Sequence, residues 1–266
     1  MSKKYRGSIG ISLVSDWYEP FSNARHDRDA VQRALDDFIF GWFVDPLTNG
    51  DYPHSMQSLV GDRLPKFTKE QSKLVNGSFD FLGLNFYTAN YAADSDHSKA
   101  DNKSYLTDLQ TNTTSMNSNI WSHDSLFLIY LIVLVGVSGE FSDGFYGIEA
   151  ASDWLYVYPR GIRDILLYTK KKYNNPLIFI TENGIDEFND ATLPLKEALA
   201  DNYRIDFYYQ HFQYLHRAIK ECVNVKGYFA WSLLDNFEWI ENSKIAQEQL
   251  KKNGVSIGST LAAIPQ

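Results

Sequence analysis

The chain has one cysteine, Cys222, among 266 residues, which excludes an internal disulfide framework. Its six histidines show no metal-ligand spacing, and no cofactor is expected. Basic residues are not in excess: 25 Lys and Arg against 33 Asp and Glu give a net charge of −8. That balance argues against a nucleic-acid partner. A membrane span needs ~20 apolar residues. The run Leu126-Phe-Leu-Ile-Tyr-Leu-Ile-Val-Leu-Val135 has ten, so no membrane partner is expected. Met1-Ser-Lys-Lys-Tyr-Arg-Gly7 is basic but has no apolar region behind it, so it is not a signal peptide. Asn76, Asn102 and Asn112 open glycosylation triplets, which also arise by chance. The compartment stays open.

What the chain does contain is an alternation of strand and helix patterns. Ser8–Val14, Phe79–Asn85, Pro176–Glu182 and Lys226–Leu234 are short apolar runs ending in polar or aromatic residues. Between them, Asp27 can cap a helix with Val31, Ala34, Leu35, Phe38, Ile39 and Trp42 on one stripe. Pro46, Asn49, Gly50 and Pro53 break that pattern. Thr68 and Gln71 have capping-box spacing. Gly161–Tyr173 reads as a helix with Ile162, Ile165 and Leu166 inward. A long helix over about Asp201–Cys222 is predicted to bury Ile205, Tyr208, Tyr209, Phe212, Leu215 and Ile219. Four strands alternating with helices point to parallel βα units. In such folds the functional groups sit at the C-terminal strand ends. A 15% aromatic content suits stacking on flat ligand faces as well as ordinary core.

Ile180-Thr-Glu-Asn-Gly184 and Trp231-Ser-Leu-Leu-Asp-Asn-Phe-Glu-Trp239 resemble the signatures of glycoside hydrolase family 1, the β-glucosidases. Tyr156-Val-Tyr-Pro-Arg-Gly161, Phe79–Tyr87 and Phe40–Pro53 resemble its plant members. The resemblance covers most of residues 5–119 and 146–240. It implies an α/β fold, a partial (β/α)8 TIM barrel made of strands five to eight with their helices. The family barrel is roughly twice this length, so residues 1–240 read as its C-terminal half. Two segments depart from the pattern. Residues of about 120–145, with their apolar run, read as an aberrant insertion, and residues 241–266 read as a divergent tail. Both are expected to pack poorly.

The resemblance also implies a chemistry. A retaining glycosidase uses two carboxyl groups ~5 Å apart, one attacking the anomeric carbon and the other protonating the leaving oxygen. Glu182 matches the nucleophile, and Tyr87 the tyrosine that donates a hydrogen bond to it. An isolated glutamate after a strand is ordinarily a surface residue; the companion motif tips the reading. Asn85, two residues before Tyr87, faces the same strand end. Glu238 matches the acceptor of sugar hydroxyls, Trp231 the apolar platform, Trp239 an indole donor and Trp154 an aglycone-side platform. The substrate implied is a β-glucoside. The family's general acid, in an Asn-Glu-Pro motif on the fourth strand, has no counterpart here. Tyr18-Glu-Pro20 has the Glu-Pro pair but lacks the asparagine, and Glu19 reads as a loop glutamate. Without a closed barrel the edge strands are unpaired, which invites self-association through the open edges. Three readings stay open: an impaired hydrolase, a non-catalytic sugar-binding or interaction module, and a product without function.

Overall fold

The computed structural model describes residues 7–37, 40–95, 103–116, 148–188, 190 and 192–232. Its centre is a four-stranded, all-parallel sheet of β1 (Gly10–Val14), β3 (Phe81–Asn85), β8 (Ile178–Glu182) and β9 (Val225–Tyr228), hydrogen-bonded in that order. These are the four strands expected from sequence. The last is shorter than predicted: after Tyr228 the backbone leaves the ladder, although Phe229 N–H still reaches Ile180 O (2.8 Å).

Strand alternation gives this sheet two unlike faces. Leu13, Leu82, Leu84, Ile178 and Ile180 are buried in the main core with Ala30, Ala34, Leu35, Ile162, Ile165, Leu166, Leu215 and Ala218. Those partners come from α1 (Arg25–Asp37), α6 (Pro159–Lys172) and α8 (Asn202–Lys220). The opposite face carries Ser12 and Val14, both exposed, and Phe81, Asn85, Phe179 and Thr181, all half-buried. In a closed barrel the opposite strands fill that face.

Some expectations held and others did not. Thr68 and Gln71 form the reciprocal capping box of α4 (Lys69–Val75). The inward positions of α6 are as predicted. The first helical pattern is described as α1 up to Asp37 and α2 (Phe40–Asn49) beyond it; residues 38 and 39 of the expected stripe lie outside the described residues. Helix α2 runs through Pro46 rather than breaking there, forgoing one backbone bond. It stops at Gly50, whose φ of +80° suits glycine. Its buried Asp45 accepts from Tyr173 Oη (2.8 Å) and pairs with Lys172 (3.1 Å). Asp27 does not cap α1. It lies in the first turn and accepts from Ser22 Oγ (2.5 Å) and from Asp94 N–H (2.9 Å), tying the helix to β4 (Ala89–Asp94). Strand β4 belongs to a second small sheet with β2 (Trp17–Pro20) and β5 (Thr111–Ser115), which the sequence reading did not foresee.

The largest correction concerns α8. Its buried residues are Phe207, His211, Leu215 and Ala218. Ile205 (59% exposed), Tyr209 (54%), Phe212 and Ile219 face outward. The helix is apolar on two sides, and a histidine fills the centre of the side that packs. His211 Nδ1 lies 2.8 Å from Phe207 O, so the neutral ring donates there. Burial pushes its pKa down to about 4. Between pH 6.5 and 4 the unfolded chain therefore binds the proton that the folded chain refuses, and stability falls with acidity, by roughly 3 kcal/mol over that window. Asp16 works the other way. Burial pushes its carboxyl up to about 7, against a hydrogen bond from Asn90, so stability through it is lost as pH rises from about 4 towards 7. Asp16→Asn removes that opposing group, and burial pushes the Asp164 carboxyl up as well, so the histidine is read by difference. From pH 7 to pH 4 the urea midpoint of Asp16→Asn should drop further than that of Asp16→Asn/His211→Gln; equal drops would remove His211 as an acid-labile group.

Among the described residues no helix is long and apolar enough to cross a membrane, and no cluster of His, Cys, Asp and Glu could hold a metal. The segments 120–145 and 241–266, with the apolar run, lie outside the described residues.

Candidate active site

The C-terminal strand ends carry the polar groups. In β8 the pairing with β3 slips by one residue: Leu84 faces Ile180, but Asn85 faces Glu182. Thr181 is the extra residue of a β-bulge, a device that re-aims a side chain. In a regular ladder Glu182 would share the helix-facing side of Ile178 and Ile180. The bulge sets it opposite Asn85. Thr181 Oγ1 donates to Asn85 Oδ1 (2.6 Å), which steadies the displaced turn.

Tyr87 Oη donates to Glu182 Oε2 at 2.7 Å. Tyr87 is buried in a cluster with Ala150, Leu155, Val157, Ile185 and Phe207, with Trp231 packed beside it. Its ring meets Trp154 edge-on, with centroids 6.2 Å apart. Trp154 is 42% exposed, so a broad indole surface remains open beside the pair. Trp231 N–H donates to Asn183 O (2.9 Å). The carbonyl of Trp231 lies 1.8 Å from where a Cβ on Gly184 would stand, so only glycine fits at Gly184. The structure thus brings Asn85, Tyr87, Trp154, Glu182 and Trp231 to one region. Glu238 and Trp239 lie outside the described residues.

Glu19 is occupied elsewhere. Its Oε1 accepts from Trp17 Nε1 (2.8 Å) and Tyr158 Oη (3.0 Å), joining β2 to the entry of α6. Two residues that sequence reasoning missed support the site. Buried Asp186 accepts from Ala151 N–H (3.1 Å) and from Ser152 Oγ, holding the segment that leads to Trp154. Asn183 has no exposed surface and bridges neighbouring strands. Asn183 lies inside the Ile180-Thr-Glu-Asn-Gly184 motif, which gave it no role of its own; Asp186, beside Glu187, carried no distinguishing signal.

Parallel βα units with a tyrosine and a carboxylate converging at their C-terminal strand ends are the architecture of part of a (β/α)8 barrel. The profile described as glycosyl hydrolase family 1 matches residues 1–245. The chain belongs to that family. It is 54% identical over 234 residues to β-glucosidase 12 of Oryza sativa subsp. indica, covering 88% of this chain and 41% of the relative. It is 51% identical over 243 residues to an isoflavonoid 7-O-β-apiosyl-glucoside β-glycosidase of Dalbergia nigrescens, covering 90% and 40%. Among solved structures, a rice β-glucosidase superimposes with a TM-score of 0.72 at 36% identity, over 89% of this chain and 46% of that one. A Humicola insolens β-glucosidase in complex with glucose gives 0.72 at 34% identity, over 88% and 44%. The chain spans less than half the length of these relatives.

Proposed function

We propose that this chain carries the nucleophile side of a retaining β-glucosidase, with β-glucosides as substrate. The observation that carries the reading is the 2.7 Å hydrogen bond from Tyr87 to Glu182 at the strand ends. In this reading a Glu182 oxygen attacks the anomeric carbon, the bond to the leaving oxygen breaks, and water later hydrolyses the glycosyl ester. Tyr87 holds the carboxylate in line. Trp231 supplies a platform beneath the sugar, Trp154 one on the aglycone side, and Asn85 a polar edge. Glu238 and Trp239 complete the sugar contacts by family resemblance. The general acid belongs to the part of the barrel that this chain does not span, so the chain alone works slowly on ordinary glucosides. The boundaries of this unit are residues 1–240, with an insertion at about 120–145 and a separate tail. The unfilled sheet face supports self-association of the isolated chain.

The test is incubation with a 2-deoxy-2-fluoro-β-glucoside bearing a dinitrophenolate leaving group, followed by intact-mass measurement. A glycosyl adduct on one peptide supports the reading. Saturable binding of the glucoside with no adduct at any concentration overturns it in favour of a sugar-binding module. Tyr87→Phe tests the orienting role. A hydrogen bond to a charged group contributes about 1.5–3 kcal/mol, or roughly 10–100-fold in rate if it serves the transition state. Adduct formation should slow by that factor; an unchanged rate would remove Tyr87 from the mechanism.

A further inference from the structure

We propose that Asn183 is the positioning residue that holds the Tyr87–Glu182 pair together, an assignment that rests on the proposed nucleophile role of Glu182. Asn183 follows Glu182 directly and is fully buried. Its side chain spans two strands. Nδ2 donates to Phe86 O (2.7 Å), the residue before Tyr87. Oδ1 accepts from Tyr228 Oη (2.7 Å), at the end of β9. The orientation is unambiguous, because Phe86 O can only accept and must face the NH2 group. Burial pushes the Tyr228 hydroxyl well above its ordinary range, so it stays protonated and donates. The backbone of Asn183 adds a third link, accepting from Trp231 N–H (2.9 Å). One residue therefore joins the strand that presents Tyr87, the strand that presents Glu182, and the segment that presents Trp231.

The need for such a clamp comes from the bulge. The slip at Thr181 interrupts the regular β3–β8 ladder just where the two reacting-side groups emerge. Phe86 N–H still reaches Glu182 O (3.0 Å). Beyond that last ladder pair, the amide of Asn183 gives Phe86 O a side-chain bond from the end of β8. A shift of ~1 Å in a nucleophile can cost ~100-fold in rate, so a clamp one residue away is well placed to matter.

The test compares the full chain with Asn183→Asp, Tyr228→Phe and the double variant. Asn183→Asp removes the donor to Phe86 O. Tyr228→Phe frees the amide without adding charge, and it keeps the question open if the first variant folds poorly. Two readouts are taken: the maximal rate and half-saturation of adduct formation with the fluoro-glucoside, and the ring-carbon NMR resonance of Tyr87, assigned through Tyr87→Phe. Asn183→Asp should lower the maximal rate by about 10-fold or more with half-saturation little changed. Tyr228→Phe should move it the same way by less, and the double variant should be no worse than Asn183→Asp alone. The Tyr87 resonance should shift in each. If the parent chain forms no adduct, the nucleophile assignment fails while the resonance still decides the clamp. An unshifted Tyr87 resonance in both single variants, or rates equal to the parent's, overturns the proposal.

Discussion

Glu182→Gln is expected to abolish covalent labelling of this chain by an activated fluoro-glucoside. The amide is nearly isosteric and can still accept from Tyr87 Oη, now at 2.7 Å from the carboxylate, so the site keeps its shape. What it loses is the nucleophile: a neutral amide oxygen does not form the glycosyl ester. Peptide mapping of the parent should place the adduct within Ile178–Gly184, and the variant should show none under the same exposure. Labelling that persists in Glu182→Gln, or an adduct mapped to Glu19, would refute the assignment. Glu19 is the informative alternative, since it is the carboxylate of the Glu-Pro pair. Its Oε1 accepts from Trp17 and Tyr158, which ties it to the junction of β2 and α6.

The second large effect is a steep dependence on the leaving group. A positioned general acid contributes ~10²–10⁴-fold to the departure of a poor leaving group and little to one that leaves as a stable anion. The isolated chain should therefore be slower than a full-length family relative by that factor on cellobiose or an alkyl glucoside. With a dinitrophenyl glucoside the deficit should shrink. The measurement is the initial rate over a series of aryl and alkyl β-glucosides plotted against leaving-group acidity. A shallow plot, or family-like turnover of cellobiose, would mean that another residue of this chain supplies the proton.

The strand ends were legible because they combine two strong signals, an apolar run and a polar terminus. All four strands of the main sheet were found this way, and the Thr68–Gln71 capping box was visible as a spacing. Helix α6 was legible because only one of its faces is apolar. Helix α8 was not. Ile205, Tyr209, Phe212 and Ile219 form as good a stripe as the residues that pack, and nothing in a periodicity says which stripe meets the sheet. His211 adds to the difficulty, since a pattern of apolar residues does not mark a histidine at the centre of the packed side. Pro46 misled because a proline inside a helix costs one bond, which packing can offset. At the site, Glu182, Tyr87, Asn85, Trp154 and Trp231 were named from motifs. Asn183 and Asp186 were not, because their work is done through hydrogen bonds to backbone groups remote in sequence, Phe86 and Ala151.

The bulge at Thr181 separates what makes this strand fold from what lets it act. Ile178 and Ile180 keep their places in the core by ordinary alternation, and the slip comes only after them. The same strand paired without the slip would keep that core intact while turning the carboxylate towards the helices. Holding the strand in the sheet and aiming its acid are thus separate tasks, assigned to consecutive residues: the apolar pair anchors, and the register one step later aims.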